Sequence, residues 1–256
     1  MKLLLLNANT TAAMTAGMAA AATRLAPADT QIVAATGRFG AAYISTRSAA
    51  AIAGHAALDL LAEHVGPDNP SRFDAVALAC FGDPGLLALK ELSPIPVLGM
   101  AEASLTVASQ LGTRIGIITG GSRWVAMLSE LAQLLGFTNR LAGIRATTLT
   151  GAEIAADPDG AAGQLTTLAR NLVADDGADI VIFGGAGLVG FAQRLQPQLD
   201  VPLLDSLTCL ITECLATARL GCVKTSRGSL AAPPAVAVTG LSAPLARALG
   251  ATPSPA

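Results

Sequence analysis

The chain has 256 residues, a formal net charge of −2 and only 13% charged residues. That length suits two lobes of about 100 residues each, and the lack of any basic run argues against nucleic acid as a partner. Gly, Pro, Asp or Arg interrupts every long apolar stretch, which argues against a bilayer span.

Hydrophobic residues make up 52% of the chain but aromatics only 3%. Ala, Leu, Val and Ile must therefore build the core, a composition that suits helices packed closely on a parallel sheet. The opening apolar run stops at Asn7, too short for a secretory leader, so it reads as a buried first strand, Lys2–Leu6, in a protein expected in the cytoplasm. Next come Asn7-Ala-Asn9-Thr10-Thr11 and a helical stretch through Leu25. Asn9 or Thr10 is placed to cap that helix, and the Asn9 amide, at the strand's carboxyl end, is placed to bind a substrate carbonyl. Further strands are expected at Gln31–Ala34, Ala75–Ala79, Val97–Met100, Arg114–Thr119, Ile180–Phe183 and Val201–Leu204, with another near Ile144–Leu149. Continuous apolar strands separated by helical stretches indicate parallel sheets covered on both faces, with function at the strands' carboxyl ends.

Cys80-Phe81-Gly82-Asp83-Pro84-Gly85 joins a strand to a helix expected at Leu86–Leu92. Asp83 reads as that helix's cap and Pro84 as its first residue. Cys80 then lies just ahead of a helix N-terminus, which would lower its thiol pKa from about 8.5. The plainer alternative is an inert cysteine filling a small space. Thr119-Gly120-Gly121-Ser122 offers hydroxyls and backbone N–H groups to a carboxylate or imide oxygen, or is a simple turn. Trp124, the sole tryptophan, reads as packing, and so does His55 in its Ala-rich helix.

Gly185-Ala186-Gly187-Leu-Val-Gly190 is a literal GxGxxG, with Asp205 at 205 − 185 = 20 residues further on. A nucleotide ranks second here, because the following helix, about Phe191–Gln198, is short and holds Pro197. The tail from Ser226 carries a short helix near Leu241–Leu249, and its last residues, TPSPA, are expected to fray.

The chain also repeats itself. Asp74-AVALACFGDPG resembles Asp179-IVIFGGAGLVG, an offset of 179 − 74 = 105 residues, and Pro96-VLGMAEASLTVA resembles Pro202-LLDSLTCLITE at 202 − 96 = 106. A near-constant offset points to a duplicated α/β unit, with a ligand site between the copies. Cys80 and Gly185 are equivalent under it. The domains expected are 1–97 plus 208–256 as lobe one and 98–207 as lobe two. Of the other cysteines, Cys214 and Cys222 read as core, while Cys209 lies nearer a strand end. No CxxC pair occurs, and neither His55 nor His64 has metal-ligand spacing to a cysteine, so no metal and no disulfide is expected.

The segments Asn7-Ala-Asn9-Thr10, Ala79-Cys80-Phe81-Gly82-Asp83-Pro84-Gly85-Leu86, Pro96–Gly99 with Glu102-Ala103, Ile117-Ile118-Thr119, Gly184–Leu188 and Pro202–Asp205 resemble the aspartate/glutamate racemase superfamily, in its hydantoin and allantoin racemase branch. The resemblance implies two four-stranded parallel lobes around the active site, no cofactor, and two cysteines on opposite faces of a substrate. One cysteine removes the proton α to a carbonyl and the other returns one, while N–H groups and hydroxyls stabilise the enolate. Cys80 matches the first cysteine. Gly185 stands where the resemblance puts the second. Tyr43-Ile44-Ser45-Thr46 replaces the family's Ser-Ile-Glu stretch in the substrate loop, and Thr119-Gly120 stands where a Thr-Thr pair is common.

The expectation is thus an α/β protein with two pseudo-symmetric lobes, each a roughly four-stranded parallel sheet flanked by helices. Its leading function is a cofactor-independent isomerase of the hydantoin racemase kind, with Cys80 catalytic and another donor, water or Cys209, on the opposite face. Asn9, Tyr43, Ile44, Phe81, Gly82, Thr119, Gly120, Gly185 and Ala186 are the expected substrate contacts. The substrate is a small molecule with a carboxylate, amide or imide, and association of identical copies is left open. The alternatives are a single-cysteine decarboxylase of the arylmalonate kind, with the thiol on the other loop, and a binding protein without catalysis.

Overall fold

The computed structural model describes residues 1–66, 69, 72–149, 153–154 and 157–250. The TPSPA tail lies outside them. Among the described residues eight strands form two sheets. The first contains β1 (Lys2–Asn7), β2 (Gln31–Thr36), β3 (Ala75–Leu78) and β4 (Val97–Gly99) in the order β2-β1-β3-β4. The second contains β5 (Ile115–Gly120), β6 (Leu141–Thr147), β7 (Ile180–Gly184) and β8 (Leu203–Asp205) in the order β6-β5-β7-β8. Every pairing is parallel. The second order repeats the first four strands later, so the repeat in the sequence is a repeat in topology.

The apolar runs account for the sheets. Leu3–Leu6, Ala75–Leu78 and Ile180–Phe183 are wholly buried, as central strands with both faces covered must be. The outer strands β2 and β6 are only half-buried. That explains why β6, expected near Ile144–Leu149, runs earlier, over Leu141–Thr147: its mixed pattern marks an edge, not a core strand.

The helices are α1 (Ala12–Leu25), α2 (Arg47–Val65), α3 (Leu86–Leu92), α4 (Met100–Leu111), α5 (Arg123–Leu134), α6 (Pro158–Ala174), α7 (Phe191–Leu195), α8 (Ser206–Leu220) and α9 (Ala243–Ala248). Two of them cross over. α4 leaves β4 of the first sheet and packs on β7 of the second, whereas α8 leaves β8 of the second and packs on β3 and α1 of the first. The two helices also pack on each other. One continuous cluster of buried side chains therefore includes Leu3–Leu6 of the first sheet, Ile115 and Ile182 of the second, and Leu207 of α8.

Cys214 is buried and directs its thiol at the Val76 carbonyl, 3.8 Å away. Cys222 corrects an expectation: it is exposed, because α8 ends at Leu220 and Gly221 turns the chain out in a left-handed conformation. All four cysteines are free thiols. Among the described residues no helix is long and apolar enough to cross a membrane, and no group of three or more His, Cys, Asp or Glu could hold a metal ion.

Candidate active site

In each sheet the strand order reverses direction between the first and third strands, β1 and β3 or β5 and β7. Crevices at the carboxyl ends of such strands are the binding sites of open parallel sheets. Here the two crevices meet. Asn9 follows β1, Cys80 follows β3, Thr119 and Gly120 end β5, and Gly185 follows β7, and all of them line one cavity of about 70 Å³ between the lobes. Tyr43, Ile44, Phe81 and Ala186 line it too. Of the expected substrate contacts, Gly82 alone stands outside. It faces Trp124, and a methyl group there would come within 2.3 Å of the indole ring.

Sequence reasoning missed Met14, Leu149 and Ile154, and it assigned Trp124 to packing only. The repeat held a signal for Ile154, which follows Tyr43 by 154 − 43 = 111 residues, the same offset that separates Thr36 from Thr147 at the strand ends and Arg47 from Pro158 at the helix starts. Trp124 does both jobs. It lines the cavity and donates its indole N–H to the Ile44 carbonyl at 3.2 Å, which ties the second lobe to the Tyr43 loop. Arg47 of α2 and Glu130 of α5 add a two-pronged ion pair across the same seam, with Nη2 to Oε1 at 2.6 Å.

Cys80 does not experience the helix N-terminus expected for it. Helix α3 begins at Leu86 behind Gly85, which is left-handed, so neither Asp83 nor Pro84 starts it. Asp83 turns away instead. Its carboxylate accepts from the N–H groups of Ala101 at 3.0 Å and Glu102 at 2.8 Å, and so caps α4. The α4 N-cap, Gly99, leaves the room this requires, since a methyl group on it would meet Asp83 Oδ2 at 2.3 Å. Burial pushes the Asp83 carboxyl up to about 7 even against those two hydrogen bonds. The thiol consequence reverses the expectation. Burial, and then the charge on Asp83, push Cys80 up to about 12. Desolvation disfavours the charged thiolate, and a neighbouring carboxylate disfavours it further.

The first-strand loop also departs from its expected role. Thr11, not Asn9 or Thr10, is the N-cap of α1, with no side-chain capping bond. Asn9 Oδ1 instead accepts from Thr11 N–H and from Asn7 Nδ2, both at 2.9 Å. Its amide nitrogen faces only the Met14 sulfur at 3.2 Å, a weak acceptor that a carbonyl oxygen can displace.

The loop after β7 mirrors the Cys80 loop. The N–H groups of Phe81 and Gly82 have no hydrogen-bond partner among the described residues, and neither do their repeat equivalents Ala186 and Gly187. At the cavity the first lobe therefore offers the Phe81 N–H and the second lobe those of Ala186 and Gly187. Gly185 has φ +117°, and a Cβ built on it meets nothing within 4 Å. Asp205, which a dinucleotide reading needs for a ribose, is already used. It accepts from Leu207 and Thr208 N–H at the start of α8, both at 3.0 Å, and from Gly190 N–H at 2.6 Å. The helix after the glycines, α7, has only five residues. Cys209 is not at the cavity either. It is buried, and burial followed by the Asp205 charge raises its thiol to about 12.

No Lys, Arg or His occurs among the described cavity residues. Cys80 and Tyr43 are the titratable groups there, joined by the neutral donors Asn9 and Thr119 and the free N–H groups of Phe81, Ala186 and Gly187. Such a site can hold carbonyl oxygens and move a proton, but it offers no cation to a carboxylate.

Comparison with known proteins agrees with this architecture. The family model described as Asp/Glu/Hydantoin racemase matches residues 3–214. A hydantoin racemase of Paenarthrobacter aurescens is 36% identical over 222 residues, 84% of this chain and 91% of that protein. A hydantoin racemase of Pseudomonas sp. (strain NS671) is 34% identical over 207 residues, 81% of this chain and 82% of that protein. The crystal structure of allantoin racemase from Pseudomonas fluorescens superposes with a TM-score of 0.88 at 29% identity, covering 94% of this chain and all of the other.

Proposed function

The chain belongs to the Asp/Glu/hydantoin racemase family, and on that footing we propose that it is a cofactor-independent isomerase acting on an uncharged cyclic amide or imide of the hydantoin type, with Cys80 as its acid–base group. The observation that carries this reading is the cavity lining: a thiol, neutral donors and free N–H groups, without a cationic side chain among the described residues. Burying a carboxylate substrate in such a place is costly, because nothing there repays its lost hydration by charge pairing. An imide ring carries no charge and presents two carbonyl oxygens to the free N–H groups of the two loops.

In the proposed step the Cys80 thiolate takes the proton from the carbon α to the carbonyl. The C–H electron pair moves into the enolate, and its oxygen charge is met by the Phe81 N–H or by Asn9 Nδ2. Donors placed where charge develops contribute most of such a rate enhancement. Return of a proton from the opposite face inverts the centre. The resting thiol must first ionise, so the rate should rise with pH through the neutral range toward the raised value of about 12. Gly185 holds no thiol for the second face, which sets this chain apart from a two-cysteine racemase.

The test uses an enantiopure alkyl-substituted hydantoin, and allantoin, in D₂O. The wild type should take up α-deuterium and lose optical rotation, and Cys80→Ala should lose both by a factor of about 10³ or more. Neither change in the wild type would reject the reading for these substrates. A single thiol held protonated also suits a decarboxylase of the arylmalonate kind, which protonates an enediolate from one face. CO₂ release from a disubstituted malonate, lost in Cys80→Ala, would favour that lyase. The absence of a cation beside the cavity weighs against so charged a substrate.

A further inference from the structure

A centre is inverted only when a proton leaves one face and another arrives at the opposite face. Cys80 serves one face at the end of β3 in the first lobe. Its repeat equivalent is Gly185, with open space beyond its Cα, and the repeat equivalent of Tyr43 is Ile154, at the offset of 111 residues that relates β6 to β2 and α6 to α2. Neither Gly185 nor Ile154 carries a transferable proton. Tyr43 does, and its position is unusual. It springs from the first lobe, between β2 and α2, yet its hydroxyl lies over the second lobe's wall: a Cβ on Gly120, at the end of β5, would stand 3.2 Å from Tyr43 Oη.

The backbone that carries Tyr43 is pinned on both sides. Thr10 N–H donates to the Ala41 carbonyl at 3.1 Å, and the Thr11 hydroxyl to the Ala42 carbonyl at 2.7 Å. Trp124 holds the Ile44 carbonyl from the other lobe. The ring therefore has a fixed root in a segment held by both lobes, while about half of the residue stays exposed to solvent. Cys80 thus stands at the end of a first-lobe strand, and the Tyr43 hydroxyl stands beside a second-lobe strand end at Gly120.

We propose that Tyr43 is the second proton-transfer residue of this enzyme, delivering its phenolic proton to the face of the enolate opposite Cys80. This rests on the isomerase reading above. The balance is simple. The Cys80 thiolate gains the α-proton, the Tyr43 O–H bond breaks, and its proton forms the new C–H bond. The enolate electrons return to that bond, leaving thiol and phenolate. Solvent reaching the half-exposed ring reprotonates the phenolate, the thiol releases its proton, and the resting pair is restored. In the reverse direction the phenolate takes the proton and the thiol delivers one. Burial and the nearby Cys80 both raise the Tyr43 pKa, which keeps the hydroxyl protonated and ready to donate.

The experiment follows deuterium uptake and optical rotation together in Tyr43→Phe, with an enantiopure alkyl-substituted hydantoin in D₂O. Loss of a general acid typically costs 10² or more, so inversion should fall by about 100-fold. Deuterium uptake with retained configuration should fall by less than about tenfold, because Cys80 still works its own face. An unchanged circular dichroism spectrum and melting temperature confirm folding. Inversion at the wild-type rate in Tyr43→Phe would overturn the assignment and leave the isomerase reading standing. Equal loss of exchange and inversion in the folded variant would overturn it as well, since Tyr43 would then serve binding rather than one face. A wild type that neither exchanges nor inverts would overturn the isomerase reading, and this assignment with it.

Discussion

The Cys80 loop and the Gly185 loop descend from one repeated unit and occupy equivalent places at the ends of β3 and β7. Their surroundings differ in kind. The Cys80 loop is tightly packed behind its cavity face: Gly82 against Trp124, Asp83 against the start of α4, and Phe81 against Gly184, where a methyl group would meet the ring at 2.2 Å. The Gly185 loop opens into the cavity. Even the carboxylate that organises each crossover helix arrives from opposite directions. In the first lobe Asp83 reaches from the strand loop to cap α4. In the second, Asp205 sits at the helix start, caps α8, and reaches back to Gly190 in the loop. Duplication supplied two equal frames. Divergence filled one with a half-buried, proton-bearing group and left the other with room.

Substitutions can test that contrast. Gly82→Ala should have the largest effect on stability. It puts a methyl group 2.3 Å from the indole, at φ +149°, so overpacking and backbone strain add to about 3–5 kcal/mol, read as a lowered melting temperature. A loss under about 1 kcal/mol would mean the loop is not tightly packed.

Asp83→Asn comes next. An amide offers one acceptor oxygen to two N–H groups, so about 1–2 kcal/mol of capping should be lost. The pH behaviour is more telling. The folded carboxyl titrates at about 7, above an unfolded value of about 4. Between those values the folded protein holds a proton that the unfolded chain has released, so wild-type stability should decline as pH rises from about 4 to about 7. That decline should flatten in Asp83→Asn. The Cys80 thiol, relieved of a neighbouring charge, should alkylate at lower pH. An unchanged alkylation profile would remove Asp83 from the control of the thiol.

Gly185→Ala should have the smallest effect. Its methyl group meets nothing within 4 Å, so only the strain of φ +117° remains, about 1–2 kcal/mol. A cost equal to that of Gly82→Ala would erase the difference between the loops.

Much of this was legible in the residues. The core strands β1, β3, β5 and β7 announced themselves because both faces are buried and their runs are continuously apolar. Edge strand β6 was blurred because one side meets solvent. The expected helix Leu86–Leu92 formed as drawn, but its expected cap did not. Asp83 obeys the preference for a helix N-terminus, only it found a different one, 18 residues along the chain at Ala101. Cys222 looked like core and proved exposed, since an apolar residue past a helix end has no face assigned by periodicity.

By itself, then, the sequence determined the two-sheet frame, its duplication and the strand end on which Cys80 stands, because apolar periodicity and repeat spacing are local properties of the chain. Tertiary structure alone decided which helix Asp83 caps, that the Cys80 thiol is pushed up rather than down, and that Tyr43 reaches the wall of the other lobe. Each of these depends on groups far apart in sequence meeting in space, where burial and distance fix the energy of a charge and the path of a proton.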